Sequence, residues 1–166
     1  MEQEQNPEII EQEKPSVDGL TKFVASGIYT GYAPAASGTF GSLAACAFFF
    51  IPNFTSVYVI IPATILLFII GGRVADKMEK VYGQDPSQVT IDEFVGMWIS
   101  VWFIPFSFLN FGLAFVIFRI LDILKPYPAA EFDKRSGGWN IMLDDVIAGI
   151  YTNVIIQLAL RINLFF

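Results

Sequence analysis

Two long runs without a charged side chain constrain the fold of this chain more than any other feature. They include residues 39–72 and 94–118, stretches of 34 and 25 residues. Because one membrane-spanning helix needs about 20 predominantly apolar residues, the first run is too long for a single helix, and Pro52-Asn53 is its natural break. A third apolar run, residues 146–166, contains one charged residue, Arg161. With 54% hydrophobic residues and a mean hydropathy of +0.55, the chain has the composition of an integral membrane protein.

These runs predict an all-α, polytopic integral membrane helical bundle with about four to five transmembrane or half-spanning helices. A short N-terminal helix at the membrane surface is expected within residues 19–32. The longer predicted helices cover residues 41–51, 55–72, 94–108, 111–124 and 146–166. The polar segments 73–92 and 125–143 each carry three Arg or Lys residues, so both are expected on the cytoplasmic side. An even number of spans must then separate them, which favours two helices within residues 94–124, broken near Pro105, Asn110 and Gly112.

The first 18 residues differ from the rest of the chain. They hold six acidic residues and one basic residue, Lys14, and they account for most of the net charge of −6. We predict that residues 1–18 form a disordered acidic tail and that residues 19–166 form a single membrane-embedded domain. Because that domain is close to neutral, nothing indicates a nucleic-acid partner, and no obligate protein partner is evident.

The residue types that the chain lacks exclude several kinds of catalysis. It has no histidine and a single cysteine, Cys46. Ser-His catalysis, histidine phosphatases, His-metal sites and thiolate-metal clusters are therefore excluded. The absence of a Cys-x5-Arg motif and of a DxDx[TV] motif argues against cysteine and phospho-aspartate phosphatases. Acid-base and metal chemistry must depend on carboxylates.

Acidic and basic side chains cluster at the ends of the apolar runs. Arg119, Asp122 and Lys125 are spaced three apart, so on a helix they share one face. A surface salt-bridge ladder is the alternative, but ionisable residues on an apolar helix at membrane depth are costly and usually functional. Thr90 and Glu93 also fit a capping box, and the pair Asp144-Asp145 would be favoured at a helix N-terminus. Capping does not explain why so many charges share one predicted membrane face. The residues predicted to act in catalysis are Asp92, Glu93, Arg119, Asp122, Lys125, Asp133, Asp144 and Asp145.

Residues 38–42, Gly-Thr-Phe-Gly-Ser, are predicted to form a Gly-rich loop that leads into a helix. Such a loop points free backbone N–H groups at an anion, although a flexible loop with a Ser or Thr cap would have the same sequence. The residues predicted to bind phosphate are Gly38, Thr39, Gly41, Ser42, Arg119 and Lys125.

The charged cluster predicts metal-dependent phosphoryl chemistry. Clustered carboxylates cannot all remain ionised unless a cation neutralises them, and a site with only oxygen ligands favours Mg²⁺. Guanidinium and ammonium groups suit phosphate oxygens. Because the site is expected at the lipid–water boundary, its substrate is expected to have acyl chains in the bilayer and a phosphate outside it. The predicted metal ligands are Glu93, Asp122, Asp144 and Asp145, with Asp92 as a further candidate.

The order and spacing of several motifs resemble the phosphatidylglycerophosphatase A family. The matching stretches are residues 37–45 (SGTFGSLAA), 92–98 (DEFVGMW), 118–122 (FRILD), 125–128 (KPYP), 132–133 (FD), 137–138 (GG) and 142–149 (MLDDVIAG). The resemblance covers residues 20–155, and Ser37 stands where the family often has proline. It implies an all-helical, Mg²⁺-dependent phosphatase of the bacterial inner membrane with its site on the cytoplasmic face. The implied reaction converts the phospholipid phosphatidylglycerophosphate to phosphatidylglycerol and phosphate.

Four alternatives remain open from the sequence. The chain could act on another lipid phosphate. A head-group transferase of the CDP-alcohol type also uses aspartates at a membrane face, but its DGxxAR element is absent, because Asp18-Gly19 is followed by Leu20-Thr21-Lys22. A cation transporter or channel would place acidic residues in mid-span, whereas these carboxylates lie at segment ends. A purely structural membrane subunit is the fourth alternative.

Overall fold

The computed structural model describes residues 16–162, so most of the predicted acidic tail lies outside the described residues. Within residues 16–162 the chain is helical and has no β-strand, which confirms the predicted all-α class. The α-helices are α1 (Gly19–Ala25), α2 (Ser37–Ala47), α3 (Val57–Tyr82), α4 (Ile91–Ser100), α5 (Phe108–Leu124), α6 (Ala129–Asp133) and α7 (Gly138–Arg161). Short 3₁₀ helices lie at Thr30–Tyr32 and Phe48–Phe50.

The short helix α4 lies at the centre of the bundle. Nine of its ten residues are buried, and it packs against α2, α3, α5 and α7. Residues 94–99 of α4 are apolar on all sides, and such a helix segment is expected to be enclosed in this way. Close packing depends on Gly96, because a Cβ atom at that position would lie 2.5 Å from the Phe118 ring of α5 and 2.8 Å from the Asp145 carbonyl oxygen of α7. This contact fixes the separation of α4, α5 and α7.

Two helices in the described part of the chain are long and apolar enough to cross a membrane, α3 and α7. At 1.5 Å per residue their 26 and 24 residues extend about 39 and 36 Å, more than the ~30 Å hydrocarbon core. Their most apolar windows are only 22% and 44% buried within the protein, so much of their surface is available to lipid. The shorter α2 and α4 cannot span the core alone, and the count of four to five spans stays a prediction.

The break predicted at Pro52-Asn53 is confirmed, since turns at residues 51–56 separate α2 from α3. Two other predicted boundaries are wrong. Helix α3 continues beyond residue 72 to Tyr82. The charged residues after residue 72 end the apolar run, but they do not end the helix. Helix α4 ends at Ser100, not at residue 108, and residues 101–107 connect it to α5. Ser107 caps α5 by accepting a hydrogen bond of 3.0 Å from the Asn110 N–H, so Asn110 is helical.

The N-terminus of α7 is also placed differently from the prediction. The helix begins at Gly138, eight residues before the predicted start. Asp76 and Glu79 of α3 accept hydrogen bonds from the backbone N–H groups of Gly138 and Gly137. Asp144 and Asp145 are the seventh and eighth residues of α7, beyond its first turn. The interpretation of them as acidic residues favoured by a helix N-terminus is therefore wrong.

Candidate active site

Three carboxylates from three different helices converge at one end of α4. Glu93, Asp122 and Asp145 each offer one oxygen atom, and these three atoms lie within 4.8 Å of one another. Glu93 and Asp145 are only 7% and 2% exposed. Each residue comes from a helix that packs against the others through Gly96, so the geometry of the bundle sets their spacing.

Arg119 of α5 joins this group. Its Nη1 atom lies 2.5 Å from Glu93 Oε2 and 3.0 Å from Asp122 Oδ2, and it donates to Ser42 Oγ of α2 at 3.2 Å. Ser42 Oγ is also 2.9 Å from Glu93 Oε2. Glu93 is thus engaged with α2 and α5 rather than with its own helix terminus, and no side chain caps α4 at Thr90. The capping-box interpretation is therefore wrong.

Lys125 forms a second charged group beside the first. It is the C-cap of α5 in a left-handed conformation, and its Nζ atom contacts Asp133 of α6 and Asp144 of α7, the latter at 2.7 Å. Burial opposes charge on Lys125, but the hydrogen bonds to these two carboxylates outweigh it and raise the pKa of the ammonium group. Asp144 therefore lies next to the three converging carboxylates but is paired with Lys125.

The two charged groups share a cavity of about 320 Å³. Seven of the eight residues predicted to act in catalysis line it. The eighth, Asp133, does not line the cavity but contacts Lys125, which does. The lining residues are Ser37, Gly38, Asp85, Pro86, Ser87, Val89, Asp92, Glu93, Arg119, Asp122, Ile123, Lys125, Asp144 and Asp145. Of the predicted phosphate-binding residues, Gly38 and the two basic residues line the cavity. Ser42 touches its wall through Glu93, whereas Thr39 and Gly41 do not line it.

The segment predicted as a Gly-rich loop is helical, because α2 begins at Ser37. Gly38 lies in its first turn, where backbone N–H groups have no partner within the helix. A Cβ atom at Gly38 would collide with Glu93 Oε1 and lie 3.0 Å from Arg119 Nη2. Only glycine lets the start of α2 approach the carboxylates this closely, so the helix N-terminus replaces the predicted loop as the source of backbone donors.

Buried polar atoms around the cavity lack partners among residues 16–162. They are Asp92 Oδ1, Asp145 Oδ2 and Arg119 Nε. Burial first, and then the Asp122 carboxylate, raise the pKa of Glu93 to about 7, against the opposing effect of Arg119. Unpaired buried oxygen atoms and crowded carboxylates both destabilise a protein unless a cation compensates them. The donor set therefore fits a divalent metal ion, and Arg119 Nε is a buried donor without a partner in the described part of the chain.

Comparison with known proteins identifies the family. The profile of the family described as Phosphatidylglycerophosphatase A matches residues 23–160. This chain belongs to the phosphatidylglycerophosphatase A family. It is accordingly a lipid phosphatase and a membrane protein.

Three relatives of this family member were compared over most of their lengths. A protein of Bacteroides thetaiotaomicron named "Putative phosphatidylinositol-3-phosphatase" is 36% identical over 84% of this chain and 93% of its own length. Phosphatidylglycerophosphatase A of Escherichia coli K12 is 38% identical over 76% of each chain. Phosphatidylglycerophosphatase A of Haemophilus influenzae Rd is 35% identical over 80% of this chain and 84% of its own. No solved structure matches the chain.

The sequence analysis of this phosphatidylglycerophosphatase A family member missed Asp85. Asp85 lies between α3 and α4 in a left-handed conformation and lines the cavity. Although Asp85 is exposed to solvent, partial desolvation at the cavity raises its pKa, and Lys125 opposes that shift. Its position in the polar segment that precedes Asp92, on the same predicted membrane face, could have indicated that it belongs to the site. Asp85 adds a sixth carboxylate to the cavity lining.

Proposed function

We propose that this protein hydrolyses the terminal phosphate monoester of phosphatidylglycerophosphate in a Mg²⁺-dependent reaction. The products are phosphatidylglycerol and phosphate, and the site faces the cytoplasm at the bacterial inner membrane. The observation that carries this proposal is the convergence of Glu93, Asp122 and Asp145 beside Arg119 in one cavity. The names of the relatives from Escherichia coli and Haemophilus influenzae support the choice of lipid.

The metal ligands in this proposal are Glu93, Asp122 and Asp145. The unpaired Oδ2 atom of Asp145 and the mutual approach of the three carboxylates support this choice. Mg²⁺ bound there would neutralise phosphate charge and make a coordinated water more acidic. Asp144, which the sequence also suggested as a ligand, instead holds Lys125 in place through the 2.7 Å contact.

Phosphate binding in this proposal depends on two side chains and one helix N-terminus. Lys125 and Arg119 line the cavity and carry charged donors, and such groups form strong hydrogen bonds with phosphate oxygens. The backbone N–H groups of Ser37 and Gly38 lie at the N-terminus of α2, where free donors and the positive end of the helix dipole favour an anion. Together they hold the phosphate with its glycerol oxygen directed toward the membrane.

Hydrolysis forms a P–O bond to water and breaks the P–O bond to the glycerol oxygen. Asp92 has an unpaired buried oxygen and lines the cavity, so it is placed to accept a proton from the attacking water. The released glycerol oxygen then takes up one proton, which Asp92 can return. Burial of the site keeps other water away from the reacting phosphate.

A second substrate has a specific observation in its favour. The Bacteroides thetaiotaomicron relative, which the chain covers over 93% of its length, is named for phosphatidylinositol 3-phosphate. Both lipids carry a phosphate monoester on a phospholipid head group. The same carboxylates and basic groups would serve either one, and the head group alone would differ.

The test is phosphate release by the purified protein from each lipid in mixed micelles at equal surface concentration. Each lipid is assayed with Mg²⁺, with EDTA, and with EDTA followed by excess Mg²⁺. We expect faster release from phosphatidylglycerophosphate, loss of activity in EDTA and recovery with Mg²⁺. Faster release from phosphatidylinositol 3-phosphate would overturn the proposed substrate, and full activity in EDTA would overturn the proposed metal.

A further inference from the structure

An apolar groove of about 240 Å³ lies between α2 and α5. Leu43 and Cys46 of α2 line one side, and Gly112 and Phe115 of α5 line the other. These helices also carry Ser42 and Arg119 of the candidate active site. The groove is thus a second cavity built from the same helix pair.

The groove lies next to the candidate active site along both helices. Cys46 follows Ser42 by four residues and Phe115 precedes Arg119 by four, so each lies one turn away on the same helix face. Gly112 is about 10 Å from Arg119 along the axis of α5 at 1.5 Å per residue. The apolar groove therefore begins about one helical turn from the candidate active site on both helices.

The groove has a closed floor and an open side. Phe49 and Phe111 form the floor, are 5% and 7% exposed, and pack edge to face with ring centroids 4.8 Å apart. Gly112 leaves the open side free, because a Cβ atom at that position would meet nothing within 4 Å. An aromatic cluster of Phe50, Phe106 and Phe108, with ring centroids 5.9–6.5 Å apart, lies at the end of the groove remote from Arg119.

We propose that this groove binds one acyl chain of the phospholipid whose head-group phosphate occupies the polar cavity. The inference rests on the proposed function. The head group and the acyl chains belong to one lipid molecule, and the helix pair offers a charged cavity and an apolar groove in that order. The aromatic cluster of Phe50, Phe106 and Phe108 sets the length of chain that fits.

The test compares a long-chain and a short-chain substrate, dipalmitoyl and dihexanoyl phosphatidylglycerophosphate, in the same mixed micelles. Gly112→Trp fills the groove from its open side. Leu109→Trp is the matched control, since Leu109 is exposed on the same part of α5 but does not line the groove. Gly112→Ala controls for the loss of glycine itself. The measured quantity is the ratio of kcat/KM for the long chain to that for the short chain.

We expect Gly112→Trp to lower this ratio about tenfold, the discrimination typical of a small change in an apolar pocket. Leu109→Trp should leave it unchanged, and Gly112→Ala, which adds only a methyl group, should lower it much less than Gly112→Trp does. Phe108→Ala opens the far end of the groove and should raise the ratio. An unchanged ratio in Gly112→Trp, or equal losses on both substrates, would overturn the groove assignment while leaving the proposed function intact.

The proposed function is tested separately, by measuring which lipid the wild-type protein hydrolyses. If the wild type hydrolyses phosphatidylinositol 3-phosphate and not phosphatidylglycerophosphate, the ratio is measured on long- and short-chain forms of that lipid. The same variants then test the groove assignment, and an unchanged ratio in Gly112→Trp would overturn it. If the wild type hydrolyses neither lipid, both proposals are overturned.

Discussion

Gly149 of α7 lies so close to Gly96 of α4 that a Cβ atom at residue 149 would be 2.5 Å from the Gly96 carbonyl oxygen. This contact holds together the two helices that carry Glu93 and Asp145. Gly149→Ala must push α4 and α7 apart, since the obstructing atom belongs to the backbone. We expect a loss of about 1–3 kcal/mol in the free energy of unfolding, or about 3–10 °C in Tm, measured by thermal unfolding in detergent.

The control for this variant is Gly112→Ala on the open surface of α5, where the new methyl group meets nothing within 4 Å. It should keep the wild-type Tm or raise it slightly, because alanine favours helix. Equal Tm values for Gly149→Ala and the wild type would contradict the assignment of this contact as the one that fixes the spacing of α4 and α7.

Asp145→Asn tests the carboxylate cluster directly. The amide keeps the size of the side chain but removes the charge that a divalent cation needs. Changes to groups that only orient a metal ligand typically cost 10–100-fold in activity, so we expect loss of a ligand to lower kcat more than about 100-fold. The measurement is phosphate release, with Tm as a check of folding. Glu131→Gln, at an exposed surface pair, is the matched control and should retain activity.

The residues that line the candidate site could be predicted from the sequence better than their pairing. Glu93, Asp122 and Asp145 were predicted to meet because charged residues at the ends of apolar runs share a membrane face. The pairing of Asp144 with Lys125 could not be predicted. Adjacent residues of a helix point about 100° apart, so either Asp144 or Asp145 could face α4 until the packing of α7 on Gly96 decides between them.

Helix boundaries were the least predictable part of the fold. Glycine disfavours helix, and two glycines in residues 38–42 therefore indicated a loop. The close approach of Gly38 to Glu93 and Arg119 outweighs that local preference. Likewise, the charges after residue 72 mark the end of an apolar run but not the end of α3, because a helix can continue past the membrane surface.

Gly38→Ala tests the approach of α2 to the cluster. The new methyl group would collide with Glu93 Oε1 and displace Arg119, while the helix itself would tolerate alanine. We expect activity to fall about 10–100-fold, as for other displacements of groups that position a site, with little change in Tm. Gly19→Ala, where nothing lies within 4 Å, should keep full activity. A fully active Gly38→Ala protein would show that Glu93 tolerates displacement.

The proposed cytoplasmic position of the site can be tested by labelling. In a Cys46→Ala background, Gln84→Cys places a thiol in the exposed connection between α3 and α4, next to the cavity-lining Asp85. A membrane-impermeant maleimide should label this thiol in inverted membrane vesicles and leave it unlabelled in intact spheroplasts. The opposite labelling pattern would place the cavity on the other side of the membrane and contradict the positive-inside assignment.

Mg²⁺ binding should be detectable without any substrate. A ligand that binds only the folded protein stabilises it by about 2.7 kcal/mol at a concentration one hundred times its Kd. We therefore expect Mg²⁺ to raise the Tm of the wild-type protein after EDTA treatment by about 5–10 °C. Asp145→Asn should lose this rise, because the carboxylate that completes the set with Glu93 and Asp122 is gone, whereas Glu131→Gln should keep it. An equal rise in the wild type and in Asp145→Asn would place the metal elsewhere, even if both enzymes needed Mg²⁺ for activity.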